Sequence, residues 1–452
     1  MKPKSNKREL ILYGNIYKVI LILALPVILN NVILGLYQII DSFFSESLGD
    51  GGLSAVSFTA PIIGILNAVG AALAVATTSL VARYIGKSEI LNARKTMAQV
   101  LLITSTVSVV ISFLGIIFSY QIVHTLNASD QYIDLANLYL KYNLIGLPLK
   151  FIGDIYFSYK SARGENVHTM LTSLTSMLIK IILSIILVHQ MKLGVLGLGL
   201  ATIMSYSIIV IVGIIDMFVV HTEFKIKISD FKVAKNLLIP FLIMIIPLLI
   251  EKTSLNFSHV VVNYFITQFE PSVIAAYGLT NKINSLFFII PTSIGTALIA
   301  ILAQNLTAGH HTRNNKAIKI GLLLGISFSA FAITFLYIFQ IPIINLFTKD
   351  PETIRHTINA MNTYSHTVFA WAIMQIAIAV FYASGHGFVP IIISFSRLLI
   401  FRIPILYVLL EFTNLGEYSI WYCMLIANIL AAILSIVLML RIKWQKTPKY
   451  LL

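Results

Sequence analysis

A few ionisable side chains stand inside long apolar runs of this 452-residue chain: Asp41, Lys150, Asp154, Lys180, Glu251, Lys252, Lys282, Arg397 and Arg402. A charge at the centre of a hydrocarbon layer costs roughly 3 kcal/mol or more, so each needs a partner or a task. A carboxylate in such a place can carry a proton, because burial favours the neutral acid and a neighbouring ammonium favours the ion. Asp41, in LYQIIDSFF (36–44), is the first candidate; the alternative is a cap in water at the far end of its helix. Lys150 and Asp154 are four residues apart, on one helix face at ion-pair spacing, which fits coupling and plain structural pairing equally. Lys180 stands midway along its run, where snorkelling is hardest, and its expected partner is Asp41 or Asp154. Protonating the acid of such a pair frees the lysine, giving an element with two states.

Glu251 and Lys252 are neighbours in sequence, about 100° apart on a helix, and are expected not to pair with each other. Glu251 is then a second coupling carboxylate, a substrate anchor, or the partner of Arg397 or Arg402. Arginine keeps its charge, so those two either grip an anion bidentately or clamp Glu251. Asp216 falls close to the end of its run and is expected to be solvated. Tyr37, Gln38, Asn67, Asn143, Tyr156, Asn263, Asn284, Met374 and Gln375 are the uncharged candidates to line a substrate cavity, packing being the alternative for each. His259 and His366 are expected to be hydrogen-bonded structural groups rather than proton relays.

Several chemistries are missing from the sequence. There is no HExxH spacing, no GxxxxGK[ST] loop and no GxSxG on a candidate loop. The lone cysteine, Cys423, rules out an intramolecular disulfide and a cysteine-based metal site. No enzyme activity, metal or cofactor is therefore expected. No ring of like charge suggests a channel filter.

The elements that hold these residues are legible from composition. Hydrophobic residues make up 58% of the chain and charged residues 11%, and mean hydropathy is +0.89. A soluble domain carries about 25% charged residues, so this is an all-α polytopic membrane protein. Twelve runs are long enough to span a bilayer: about 17–44, 54–82, 97–123, 133–159, 167–189, 195–220, 236–268, 272–304, 318–346, 358–382, 389–411 and 418–440. The basic start MKPKSNKREL leads into the first run without a small-residue cleavage site and reads as an uncleaved first span. With both termini placed in the cytoplasm, that side holds 22 Lys and Arg and the other holds three, Lys192, Lys349 and Arg355. The net charge of +14 thus reports topology in a cell membrane and not a nucleic-acid partner.

The chain also repeats. A shift of 221 residues brings Pro26 onto Pro247, Ala55 onto Ala276, Lys95 onto Lys316, Ala162 onto Ala383 and Gly164 onto Gly385. Two six-helix bundles in the same orientation follow: a first lobe over 1–220, a basic cytoplasmic linker over 221–235 and a second lobe over 236–452. Parallel repeats that rock about a central site are a transporter architecture.

Four stretches carry a family resemblance: LPVILNNVILGLYQIIDSFFSESLGDGGLSAVSF (25–58), KSARGENVHTM (160–170), GVLGLGLAT (194–202) and IPLLIEKTSLNFSHVVVNYFITQFEPSVIAAYGLTNKI (246–283). In this order on twelve helices, the chain resembles the bacterial type of the multidrug and toxin extrusion family, within a superfamily that also holds lipid-linked sugar flippases. The resemblance implies a V-shaped pair of lobes around a cavity. It implies a monomeric antiporter that exports small amphipathic, often cationic compounds against inward H+ or Na+ by alternating access. Asp41 matches the first-helix carboxylate implicated in coupling; Asp154, Lys180 and Glu251 complete the expected coupling set. Many members carry Asn and, four residues later, Asp on the fifth helix, where this chain has Lys180 and Ser184. An ammonium repels cations, which favours H+ over Na+. The alternative is an exporter or flippase of a lipid-linked or anionic amphipathic substrate, favoured by the surplus of basic groups in the membrane interior.

Overall fold

The structure, a computed structural model, describes residues 7–46, 50–126, 128–220, 223–232, 234–446 and 448. Among these, the side chains of residues 38, 39, 42, 46, 50, 53, 254–261, 263 and 264 are outside the description. Two expected cavity residues, Gln38 and Asn263, and the histidine His259 therefore lie outside the described residues.

The described chain is helical. A short α1 (Lys7–Tyr13) precedes α2 (Ile16–Glu46), α3 (Asp50–Gly86), α4 (Ile90–Thr125), α5 (Ile133–Ala162) and α6 (Asn166–Ser184). The last continues as a π-helical turn, Ile185–Gln190, and α7 (Gly194–Ile214) ends in another, Ile215–Val219. After a 3-10 turn at Ile228–Phe231 come α8 (Lys235–Ile266), α9 (Pro271–Thr307), α10 (His311–Ile344), α11 (Pro351–Tyr364) and α12 (Thr367–Ser384). Then α13 (Phe388–Phe395) runs through a π-helical segment, Ser396–Arg402, into α14 (Ile403–Phe412), and α15 (Tyr418–Arg441) closes the chain.

Eleven helical stretches among the described residues are long and apolar enough to cross a membrane. The twelfth expected span is α5. Its thirty residues reach about 45 Å, but Lys141, Lys150 and Asp154 interrupt its apolar character. The tenth expected span is divided into α11 and α12. The α11 segment PETIRHTINAMNTY is polar and amphipathic, so only α12 is apolar enough to count as membrane-spanning. Outward faces carry large apolar side chains, as at Leu102, Val109, Phe113 and Phe118 of α4, which is the surface that lipid covers.

The helices form two compact units, residues 1–11 with 25–245, and residues 12–24 with 246–452. In the first, α5 packs on α3, α4 and α7; in the second, α9 packs on α12, α10 and α11. The linker belongs to the first unit. Its Asp230 receives two hydrogen bonds from the Arg94 guanidinium of α4, at 2.6 and 3.2 Å, and Phe231 stacks on Phe218.

The 221-residue register governs helix boundaries. The α3 and α9 helices are both 37 residues long, and their ends map onto each other. The turn after α5 has Gly164 at φ 77°, with Glu165 N–H bonded to Lys160 C=O at 2.9 Å. The turn after α12 has Gly385 at φ 84°, with His386 N–H bonded to Phe381 C=O at 2.8 Å. Both are left-handed helix stops closed by the same bond between the same repeat positions. The turn after α9 uses Gly309 at φ 81°, and its counterpart after α3 is Ser88 at φ 63°. A left-handed serine costs more than a glycine there. Ser88 is exposed, and Ser88→Gly is expected to stabilise the protein by about 0.5–1 kcal/mol, while Gly309→Ser does the reverse. Unfolding curves of the two variants in detergent check this; a Ser88→Gly variant no more stable than wild type would show that the serine is not strained.

Candidate functional site

The first unit holds a cavity of about 300 Å³ with Asp41, Lys150 and Lys180 in its wall. Asp41, carried by α2, is 6% exposed and therefore does not cap a helix in water. Its Oδ2 accepts hydrogen bonds from Lys180 Nζ of α6 at 2.9 Å and from Tyr139 Oη of α5 at 3.0 Å. Among the described residues its Oδ1 has no hydrogen-bond partner. Lys180, 1% exposed, also donates to Tyr37 C=O at 3.2 Å and lies 4.5 Å over the Tyr37 ring. Of the two expected partners, Asp41 is the one Lys180 meets.

Tyr37 is held in turn. Ser176 donates to Ser205 C=O at 2.6 Å, so the 2.5 Å contact between Tyr37 Oη and Ser176 Oγ runs from the phenol to the serine. Tyr206 stacks on the other side of Tyr37, ring centres 5.5 Å apart. Four helices thus fix one ion pair, and three of its supports, Tyr139, Ser176 and Tyr206, were not expected. Tyr139 had a readable signal: Tyr139, Asn143, Leu147 and Lys150 recur at helical spacing and all line the cavity.

Lys150 pairs with Asp154 at 2.7 Å, as their spacing implies, and both are about one-fifth exposed. Gly70 of α3 makes room for them: a Cβ there would come within 3.0 Å of Asp154 Oδ2 and 2.9 Å of the Phe151 ring. Of the uncharged candidates, Tyr37, Asn67 and Asn143 line this cavity. Tyr156 does not. It is fully buried, and its hydroxyl meets His168 Nδ1 at 3.0 Å in the packing of α5 on α6.

A MatE family model matches residues 26–186 and 247–408. Its two segments begin at Pro26 and Pro247, in the register that also aligns the helix stops. The chain belongs to the MatE family. It is 24% identical over 417 residues to "Probable multidrug resistance protein YoeA" of Bacillus subtilis (strain 168), with 90% of each chain covered. It is 22% identical to "Multidrug export protein MepA" of Staphylococcus haemolyticus (strain JCSC1435), with 93% of each covered. The fold matches that of a crystal structure of MATE in complex with MaL6, at a TM-score of 0.90 and 21% identity over 96% of this chain and 97% of that one. This MatE protein is accordingly a multi-pass membrane transporter.

Other polar residues of the transporter depart from expectation. Asp216 is not solvated: it pairs with Lys160 at 2.7 Å and lies 3.9 Å from Arg163, and Glu165 pairs with both cations at 2.7 Å. Residues from the end of α5, the start of α6 and the π turn after α7 meet there. In the second unit Glu251 does pair with its neighbour, Lys252 Nζ lying 3.0 Å from Oε2. The lysine stem is long enough to fold back across the angle between the two residues. Tyr382 Oη also donates to Glu251, at 3.2 Å. Met374, on α12, is 1% exposed and is not among the residues that line the first unit's cavity. Asn284 is also 1% exposed, and among the described residues its Nδ2 lacks a hydrogen-bond partner. Arg397 and Arg402 are each 4% exposed, on the π-helical segment. His366 is near Tyr337 Oη at 3.4 Å, in keeping with a structural role.

The Asp41–Lys180 pair is testable through stability. Lys180→Met leaves a buried carboxylate without its cation and is expected to cost about 3–5 kcal/mol. Adding Asp41→Asn to that variant is expected to recover most of the loss. Unfolding in mixed micelles across the four proteins of this cycle measures the coupling; additive losses would mean that the pair is not energetically real.

Proposed function

We propose that the transporter is a proton-coupled secondary exporter of small amphipathic organic compounds in the plasma membrane. The observation that carries this reading is the Asp41–Lys180 pair, buried in the wall of a cavity and tied to two helices, α5 and α7, besides its own two. One carboxylate oxygen holds the lysine and Tyr139, and the other is free of partners among the described residues. A proton arriving at that second oxygen neutralises the carboxylate and weakens its hold on Lys180. The contacts of α2 with α5 and α6 then differ between the two protonation states, and a ligand or proton can bias a conformational equilibrium only through such a difference. Alternating access of the two units is the motion this would drive. The ammonium already on the carboxylate speaks for H+ and against Na+ as the coupling ion.

Asp154, paired with Lys150 beside the same cavity, and Glu251, paired with Lys252, are proposed as secondary coupling groups. Tyr37, Asn67 and Asn143 are the proposed substrate contacts in the first unit. The names of the relatives favour drug export over carriage of a lipid-linked substrate. The 22-to-three division of basic residues supports cytoplasmic termini.

The experiment is efflux of a cationic dye from proteoliposomes under an imposed proton gradient or an imposed sodium gradient. Proton-driven efflux is expected, with Asp41→Asn lowering it about tenfold or more, the size of an ordinary coupling energy. Lys180→Ala is expected to keep residual transport but shift its pH profile, since the lysine sets when the acid takes its proton. Efflux driven by sodium alone, or a pH profile unmoved in Lys180→Ala, would overturn the coupling role given to this pair.

A further inference from the structure

Most buried charges described above have a partner, and Arg397 has none. It is 4% exposed, and it makes no hydrogen bond or ion pair among the described residues. It makes an aromatic contact: the guanidinium carbon lies 5.2 Å from the ring centre of Trp371. That ring is itself fixed, donating from Nε1 to Thr292 Oγ1 at 3.0 Å and stacking on Phe288 with centres 4.9 Å apart. One face of the guanidinium is thus held against an immobile indole, while its five N–H donors remain available in a rigid fork. A buried cation without a hydrogen-bonded partner is costly, and Glu251 acts on this one only through space. Among the described residues, the groups that act on it electrostatically are Arg402, Tyr364 and the carboxylate of Glu251, which Lys252 and Tyr382 already engage.

The repeat register says what kind of place this is. Trp371, Phe288 and Asn284 fall 221 residues after Lys150, Asn67 and Ile63, which all line the cavity of the first unit. Arg397 falls on Ser176, one turn before Lys180 on α6. The second unit therefore puts an indole and a phenyl ring at positions that line the first unit's cavity, and an arginine one helical turn before the position of the cavity residue Lys180. Asn284, 1% exposed, adds a donor whose Nδ2 has no partner among the described residues, on the same face of α9 as Phe288 and Thr292 at spacings of four. The π-helical segment, Ser396–Arg402, begins one residue before Arg397, and such bulges recur where a helix serves a site.

We propose that the second unit carries an anion site headed by Arg397, which takes the sulfonate, phosphate or carboxylate of an amphipathic molecule whose aromatic or apolar part lies against Trp371. As a statement about cargo this rests on the export reading, and it extends that cargo to acidic and zwitterionic compounds. As a statement about binding it stands alone.

The test uses two fluorescent probes that share one ring frame. 8-Anilinonaphthalene-1-sulfonate carries the acid, and N-phenyl-1-naphthylamine lacks it. Each is titrated against the full chain in phosphatidylcholine nanodiscs, read by energy transfer from tryptophan. Arg397→Gln is expected to weaken sulfonate binding about tenfold or more and to leave the neutral probe within about twofold, with Arg397→Lys in between. Unchanged sulfonate affinity in Arg397→Gln overturns the site. So does an equal loss of both probes, which would make the arginine a packing residue. Adding phosphatidylglycerol to the discs separates the sources. Competition with the sulfonate in wild type but not in Arg397→Gln assigns a lipid headgroup, and no competition assigns a soluble amphiphile; both sustain the site. Failure of dye efflux in the wild type would remove the export reading while leaving these affinities intact.

Discussion

A bilayer offers no water to an ionised group, so a charge between the interfaces must be answered by the protein or by what the protein binds. Much of this transporter's interior follows from that. Lys180 is answered by Asp41, which draws α6 onto α2, and Tyr139 of α5 completes the shell. Lys150 is answered within its own helix by Asp154, and α3 admits that pair by having Gly70 opposite. At the end of α5, Lys160 and Arg163 share Glu165 and Asp216, which ties three stretches of chain together. These contacts are directional where lipid-facing packing is not, so they define which helix faces which. A buried pair is weak as a source of stability and strong as a penalty against wrong arrangements.

The two repeats obey one geometry and carry different chemistry. Their helix stops agree to the residue, Gly164 with Gly385 and Ser88 with Gly309, because a backbone turn at a fixed register is a property of the fold. The charged positions do not agree. Asp41 falls on Val262, Lys180 on Phe401 and Lys150 on Trp371. Duplication supplied the scaffold twice, and the polar groups of each half then answer only to the task of that half.

Sequence patterns revealed what is periodic or expensive. Apolar runs located the spans, the register located the repeat, and the cost of a mid-membrane lysine was enough to point to a partner for Lys180. Contacts that depend on side-chain reach were not readable. Glu251 and Lys252 pair because a lysine stem bends, which an angle between Cα–Cβ vectors does not capture. Asp216 looked solvated because its position near the end of a run says nothing about Lys160, which arrives from a different helix. Tyr156 and Met374 looked available because tyrosine and methionine suit both cavities and cores, and only burial separates the two uses. The division between α11 and α12 was hidden because a polar amphipathic helix runs directly into an apolar one.

The contrast between the halves also bears on how one transporter can serve two needs. In the first unit, Lys150 and Lys180 meet Asp154 and Asp41, so the cavity wall is balanced while both acids are ionised. A single proton changes that balance by a full unit in a confined space of low dielectric, where the change is felt most. Around Arg397 in the second unit, two arginines and Lys252 stand against Glu251 among the described residues, a surplus that no proton near neutral pH removes, because arginine does not titrate there. A wall whose charge is switched by protons suits the coupling step, and a wall whose charge is permanent suits recognition of a partner that brings the missing negative charge. On the proposed reading, the asymmetry of charge laid over a symmetric backbone separates the group that senses the gradient from the group that selects the cargo.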